Sequence, residues 1–365
     1  MKLKIRYEGC SLTVAPFFVP IVITLRVAIK PYLAGNRSIM KVAVFSTRSY
    51  DKQFFDLVNS ESLHEFSYLE AALTAKTAVL ADGCEAVCIF VNDQADAATL
   101  KALKEGGVST VVLRCAGFNQ VDLQAAKDLG IEVYRVPSYS PEAVAEHAVA
   151  MIMTLNRKTH KAYNRVREGN FSLERLIGFN LNGKKAGVIG LGQIGLAFAK
   201  IMHGFGCEVI AFDPVIKIAP EHIRLVEYDS LVAEADLISV HCPLNEHTRH
   251  LIDEGCFEKM KDGVMLINTS RGAILDTAAA IEALKRGKLG YLGIDVYEQE
   301  DKLFFRDLSE SLIDDEDILR LMSFPNVLIT AHQGFFTSEA LTEIAQVTLH
   351  NLSDAQQGLV NANTL

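Results

Sequence analysis

The chain has 365 residues, more than one hydrophobic core comfortably serves, so two domains are expected. Apolar residues make up 49% and charged residues 22%, the balance of an ordinary water-soluble globular protein. The formal net charge of -9 repels phosphate backbones and anionic lipid, which argues against nucleic acid or a membrane surface as a partner.

The first 39 residues stand apart. Lys2, Lys4 and Arg6 precede an uncharged apolar run, Leu12 to Leu25, in the order of a secretory signal peptide. The run is too short for a membrane helix and is interrupted by Pro16 and Pro20. No small-x-small cleavage site follows it. The expectation is that residues 1–39 are an extension, disordered or a non-native start, and that folding begins at Met40. Short buried strands are then predicted at Val42–Phe45, Ala86–Val91, Thr110–Arg114 and Glu132–Val136. Helical stretches at Ala97–Glu105 and Leu123–Leu129 stop at Gly106-Gly107 and Gly130. Pro141 opens one long predicted helix, residues 141–166, with a Met and Ala stripe. A second alternation follows, with strands at Ala186–Ile189, Val209–Phe212, Leu237–Val240, Val264–Ile267, Leu292–Asp295 and Val327–Thr330. Its helices are predicted at Ile194–His203, Ser230–Ala235 and Thr277–Arg286. Asp301–Met322 reads as an acidic insertion with a solvated face, and Ser338–Gln357 as a final helix. Strand–helix alternation of this kind implies parallel sheets covered on both faces. The seven scattered cysteines read as reduced and buried. Cys84 and Cys88 have no second ligand pair beside them, so no metal is expected.

Residues 187–195 read GVIGLGQIG and contain Gly190, Gly192 and Gly195 at GxGxxG spacing. Alone that pattern is weak. Here it follows a predicted strand and opens a predicted helix, as a dinucleotide-binding turn requires. Gly190 permits the tight turn, Gly192 lets backbone approach a pyrophosphate, and Gly195 lets helix pack on strand. The helix N-terminus offers free N–H groups to the phosphates. Asp213 ends the next strand, where a carboxylate accepts from a ribose 2′-hydroxyl and repels a 2′-phosphate, favouring NAD over NADP.

Arg271, Glu300 and His332 each follow a predicted strand, and in a parallel sheet such ends open on one edge. Reduction of a 2-oxo acid needs a hydride and a proton. Histidine can give the proton near neutral pH, a neighbouring carboxylate stabilises the imidazolium, and an arginine fork binds the substrate carboxylate. His332 is the preferred acid/base, Glu300 its partner and Arg271 the anchor. His241 also stands at a strand end and competes for the proton-transfer role. His147, on the long helix, reads as a packed structural histidine.

These residues together resemble the D-isomer-specific 2-hydroxyacid dehydrogenases: Gly190–Gly195, Asp213, Ser270–Gly272, Asp295 with Glu300, and His332. The resemblance runs from Met40 to the C-terminus. Three stretches, Cys84–Asp93, Leu113–Leu123 and Tyr139–Ala148, resemble the family's fermentative members that reduce pyruvate to D-lactate. The resemblance implies an α/β protein of two Rossmann or flavodoxin-like doubly wound domains with the active site in the cleft between them. The substrate-binding domain would be residues 40–139 plus 335–365, and the NAD-binding domain 140–334. It implies NAD contacts at Gln193, Ile194, Asp213, Cys242, Pro243, Thr248, Thr269, Ser270, Arg271 and Asp295. It also implies that the Cys115-Ala116-Gly117 backbone holds the substrate carboxylate, while Tyr139 and Phe335 shape a pocket for a methyl group. A cytoplasmic homodimer or homotetramer is expected. Two rival readings stay open: a family member taking a larger 2-oxo acid, and an NADH-sensing binding protein of the same fold.

Overall fold

The computed structural model describes residues 39–300 and 303–365. The reading of the N-terminal extension falls on residues 1–38, outside the described residues. Residues 39–365 form one compact unit built on two parallel sheets. The first half runs β1 (Met40–Val44), α1 (Ser49–Val58), β2 (His64–Tyr68), β3 (Ala86–Ile89), α2 (Ala97–Glu105), β4 (Thr110–Leu113), α3 (Leu123–Asp128) and β5 (Glu132–Tyr134). Its five strands take the order β2-β1-β3-β4-β5, all parallel. The chain then crosses through α4 (Pro141–Arg157) and α5 (Thr159–Arg167). The second sheet comprises β6 (Lys185–Ile189), α6 (Gln193–Gly204), β7 (Glu208–Phe212), β8 (Ile223–Leu225), α7 (Tyr228–Glu234), β9 (Leu237–Val240) and α8 (Glu254–Lys259). It continues with β10 (Val264–Asn268), α9 (Thr277–Lys285), β11 (Leu289–Ile294), α10 (Glu316–Ser323) and β12 (Val327–Ile329), before α11 (Ser338–Gln356). Its seven strands run β12-β11-β10-β9-β6-β7-β8, all parallel.

Both sheets are doubly wound, because apolar strands such as Ala86–Ile89 and Leu237–Val240 are buried throughout and need cover on two faces. The strand order reverses between β1 and β3 and again between β6 and β9, and ligands bind at such switch points. Helix α11 returns to the first sheet, where Ala345, Leu349 and Leu352 pack with Met40, Val42 and Val44. Helix starts follow local chemistry. Ser140 Oγ accepts from Ala143 N–H at 3.2 Å with Pro141 in the first turn of α4, and Asp276 Oδ1 accepts from Ala279 N–H at 3.0 Å to begin α9. No helix among the described residues is long and apolar enough to cross a membrane.

Two sequence expectations are corrected. The single helix predicted over residues 141–166 is two helices, broken where Lys158 turns left-handed at φ 51°. There the segment 175–179 crosses the helix end. Asn156 exchanges 2.8 Å bonds with the Phe179 backbone, and Lys158 Nζ donates to the Arg175 and Ile177 carbonyls. The acidic run at Asp314–Ile318 is not simply a solvated face. Asp315 caps α10, with its Oδ1 accepting from Ile318 N–H at 3.0 Å, while Ile318 and Leu321 are buried. Glu316 and Asp317 lie in the first turn, where the helix dipole favours acids. Finally, α1 and the edge strands β2 and β8 were not anticipated; β2 is polar and half exposed, and β8 has three residues.

Candidate active site

The glycine turn follows β6. Gly190 sits at φ +94°, and a Cβ there would lie 2.7 Å from the Cys242 amide nitrogen. A Cβ on Gly195 would lie 2.0 Å from the Gly190 carbonyl oxygen, so helix and strand pack backbone on backbone. Gly192 differs: it is the N-cap of α6, no side chain caps the helix, and a Cβ would meet nothing within 4 Å. The turn therefore offers open space in front of uncapped N–H groups. Asp213 braces it, with Oδ2 accepting from Leu191 N–H at 2.8 Å and Oδ1 from Val215 and Ile216 N–H. Burial works to raise the Asp213 pKa, but these backbone donors and nearby Lys217 outweigh it and hold the carboxyl below its ordinary range.

Arg271, Glu300 and His332 line one cleft of about 530 Å³, together with Gly117 of the first half. His332 Nδ1 lies 2.8 Å from Glu300 Oε1, and Glu300 Oε2 accepts from Tyr297 N–H at 2.9 Å. A carboxylate only accepts, so Nδ1 carries the shared proton and Nε2 is left for exchange. His332 is held at φ 53°, its N–H donating to the Asp295 carbonyl at 2.7 Å. Below it the Asp295 carboxylate collects Thr330 Oγ1 (2.5 Å), Gln333 N–H (2.9 Å) and Gly334 N–H (2.8 Å), with His147 Nε2 at 3.3 Å. Arg271 is fixed by Nη1 donating to the Ser270 carbonyl at 2.7 Å, and Asn268 Nδ2 donates to the Arg271 carbonyl at 2.9 Å. A Cβ on Gly117 would stand 2.4 Å from Arg271 Nη2, so the guanidinium lies directly on the Gly117 backbone.

With this geometry in place, comparison with known proteins is decisive. Residues 149–334 match the family model described as D-isomer specific 2-hydroxyacid dehydrogenase, NAD binding domain. The chain is 53% identical over 328 residues to a D-lactate dehydrogenase of Escherichia coli, covering 89% of this chain and 100% of that one. The chain belongs to the D-isomer-specific 2-hydroxyacid dehydrogenase family. It is 54% identical over 319 residues to 2-hydroxyacid dehydrogenase A of Aspergillus oryzae, covering 86% and 92% of the two chains. It also superimposes on the apo D-lactate dehydrogenase structure from Escherichia coli with a TM-score of 0.81 at 50% identity, over 89% of this chain and 100% of that one.

This dehydrogenase is an NAD-dependent oxidoreductase, and its residues fit the cofactor. Thr269 Oγ1, just after the end of β10, is buried without a partner, a donor and acceptor left over for a ligand. Other residues expected at NAD are held by local hydrogen bonds. Ser270 Oγ donates to the Cys242 carbonyl at 2.5 Å, Thr248 Oγ1 to the Pro243 carbonyl at 2.6 Å, and Gln193 Oε1 accepts from Ser138 Oγ at 2.8 Å. Asp295 is 1% exposed, so its carboxylate serves the 330–334 loop in this structure.

Ala116, Tyr139, Gln193, Ile194 and His241 line a smaller cavity of about 230 Å³, which Gly192 of the glycine turn also borders. Tyr139 and Phe335 meet edge to face with centroids 6.2 Å apart, and burial pushes the Tyr139 phenol up to about 12. Cys115 is buried, its thiol pushed up to about 11 by burial and directed at the Gly117 carbonyl at 3.2 Å. His241, the competing strand-end histidine, lines this smaller cavity and not the cleft of His332. It contacts Ser239 Oγ at 2.9 Å, packs on Phe198, and burial drops its pKa to about 3, so it stays neutral. Sequence reasoning missed Asn268 and Thr330, which orient Arg271 and Asp295. Their one readable signal is position, each standing at the end of a strand beside a motif already noted.

Proposed function

We propose that this dehydrogenase reduces pyruvate to D-lactate with NADH, with His332, Glu300 and Arg271 carrying the reaction. The observation that carries the reading is the meeting of all three in one cleft, with His332 and Glu300 2.8 Å apart. Bound NADH supplies the hydride for C2 of the 2-oxo acid. Arg271 binds the substrate carboxylate through its planar fork. His332 gives its Nε2 proton to the carbonyl oxygen as that oxygen gains negative charge. Glu300 stabilises the imidazolium and keeps Nδ1 as the donor toward itself. Gly117 belongs to the reading because its backbone faces Arg271 and adds N–H donors of the Cys115–Gly117 loop to the carboxylate site.

The aromatic pair Tyr139 and Phe335 supports a small substrate side chain. We place the substrate-binding domain at residues 40–139 plus 335–365 and the NAD-binding domain at 140–334. Six described cysteines are free and buried, which suits a reducing cytoplasm. A homodimer or homotetramer is supported by α5, which buries no residue, and by the neighbouring Leu173 and Ile177, each 83% exposed. A panel of 2-oxo acids with NADH, followed by chiral analysis of the product, tests the reading. D-lactate formed fastest from pyruvate is the expected outcome. A preference for branched or aromatic 2-oxo acids would move the assignment to a larger substrate, and no turnover would sink the enzymatic role.

A further inference from the structure

The loop after β3, Val91–Gln94, lines the same cleft as Arg271, Glu300 and His332. Its anchor is Asp93, which is 1% exposed. Asp93 Oδ1 accepts from Ser46 Oγ and Leu73 N–H, each at 2.7 Å, and Oδ2 accepts from Phe90 N–H at 2.6 Å. Buried Arg114 steadies the same corner, donating to Asp51 Oδ1 and to the Phe45 and Ser46 carbonyls, with its guanidinium 4.8 Å from the Phe90 ring centroid. The loop is therefore held firmly at three strand ends.

Asn92 sits on this loop and takes no part in holding it. Its Oδ1 is buried with no hydrogen-bond partner, and no atom of its side chain makes a bond among the described residues. Other polar groups on this wall are accounted for. Asp96 caps α2 through Thr99 N–H, Gln120 donates to the Phe90 carbonyl and to Cys115 Sγ, and Gln94 and Asn119 are exposed to water. An unpartnered buried amide oxygen destabilises a fold, and a side chain without that acceptor would be better tolerated there. Folding does not explain Asn92; a ligand does.

We propose that Asn92 is a substrate-binding residue whose amide donates to the carboxylate of the 2-oxo acid in the cleft that Arg271 also lines. This rests on the substrate reading above. Only Oδ1 is buried; Nδ2 stays accessible without a bond, so the amide can offer its two donors when an anion arrives. Arg271 then supplies charge from the second half of the molecule and Asn92 supplies neutral donors from the first.

The test is steady-state kinetics of Asn92→Ala and Asn92→Asp with NADH and pyruvate, alongside inhibition by oxamate, NADH binding by fluorescence and thermal melts. Asn92→Ala should raise KM for pyruvate and Ki for oxamate about tenfold, the loss expected for one bond to a charged group. NADH affinity should stay within about twofold and Tm should hold or rise, because an orphaned polar group has been removed. Asn92→Asp should be worse than Asn92→Ala, since one carboxylate then faces another. If KM and Ki stay within about twofold in both variants, the proposal fails. It fails equally if KM rises only together with lost NADH affinity or a lower Tm, which is the mark of a damaged cleft. Wild-type protein inert toward every 2-oxo acid would overturn the substrate reading and this inference with it. An active wild type with indifferent variants would overturn this inference alone.

Discussion

At the scale of single residues, two histidines at strand ends are separated by what surrounds them. His332 has a carboxylate at 2.8 Å, whereas His241 has a serine hydroxyl and the Phe198 ring. His332→Ala should lower kcat by about 10² to 10⁴, the usual share of general acid–base catalysis, with NADH binding kept. His241→Asn should leave the pH profile of kcat/KM between pH 5 and 9 unmoved, because a ring with a pKa of about 3 is neutral throughout that range. The stability sign follows from the same shift. The unfolded ring takes up a proton near its ordinary value and the folded ring does not, so stability is full above about pH 6.5 and is lost as pH falls toward 3. A profile whose acid limb moved in His241→Asn would reverse the two assignments. Gly117 gives the second residue-scale test. Its missing Cβ is what lets Arg271 Nη2 rest on the loop, and the atom in the way is the end of a flexible side chain. Gly117→Ala should therefore fold with Tm nearly unchanged while pushing the guanidinium aside, raising KM for the 2-oxo acid about tenfold or more. Unchanged kinetics would show that Arg271 does not depend on that contact.

At the scale of elements, the glycine turn makes opposite demands on its three glycines. A methyl on Gly195 meets the Gly190 carbonyl at 2.0 Å, backbone against backbone, and neither β6 nor α6 can yield cheaply. Gly195→Ala should cost at least about 1–3 kcal/mol of stability, visible as a lower Tm. A methyl on Gly192 meets nothing within 4 Å, so Gly192→Ala should change stability by less than about 0.5 kcal/mol yet weaken NADH binding, because the methyl stands where phosphates approach. Equal losses of Tm in both would remove the distinction between packing glycine and ligand glycine. This turn was readable because glycine, strand and helix announce themselves locally, and so were Arg271, Glu300 and His332, each just beyond an apolar strand. What stayed hidden depends on distant partners. The break at Lys158 carries no Gly or Pro and arises from residues 175–179 crossing the helix end. Helix α10 lies in an acidic run because its buried face needs only Ile318 and Leu321. Asn268 and Thr330 look like any strand-end polar residues until Arg271 and Asp295 are seen to lean on them.

At the scale of the whole molecule, the two sheets are tied together at several points rather than hinged at one. Phe305 packs against the cores of both halves, meeting Phe90 at 5.3 Å, while Arg48 donates to its carbonyl at 2.6 Å. Helix α11 leaves the second half just after His332 and seals the first, and Ser138 bonds Gln193 across the crossing. Residues 39–365 should therefore melt in one transition. NADH at about 100 times its Kd adds about 2.7 kcal/mol to the folded state. At an unfolding entropy of about 2.1 cal/mol/K per residue, spread over all these residues, that energy raises Tm by about 4 °C. Were the NAD-binding half to melt alone, the same energy would act on roughly half the entropy and shift its own transition by about 7 °C, leaving the other in place. NADPH at equal concentration should shift Tm far less, because the ionised Asp213 carboxylate repels a 2′-phosphate. Calorimetry with and without each nucleotide measures both points: one peak moving by about 4 °C with NADH supports coupled halves, whereas two peaks with only one responding would mean that these contacts do not couple the cofactor site to the substrate wall.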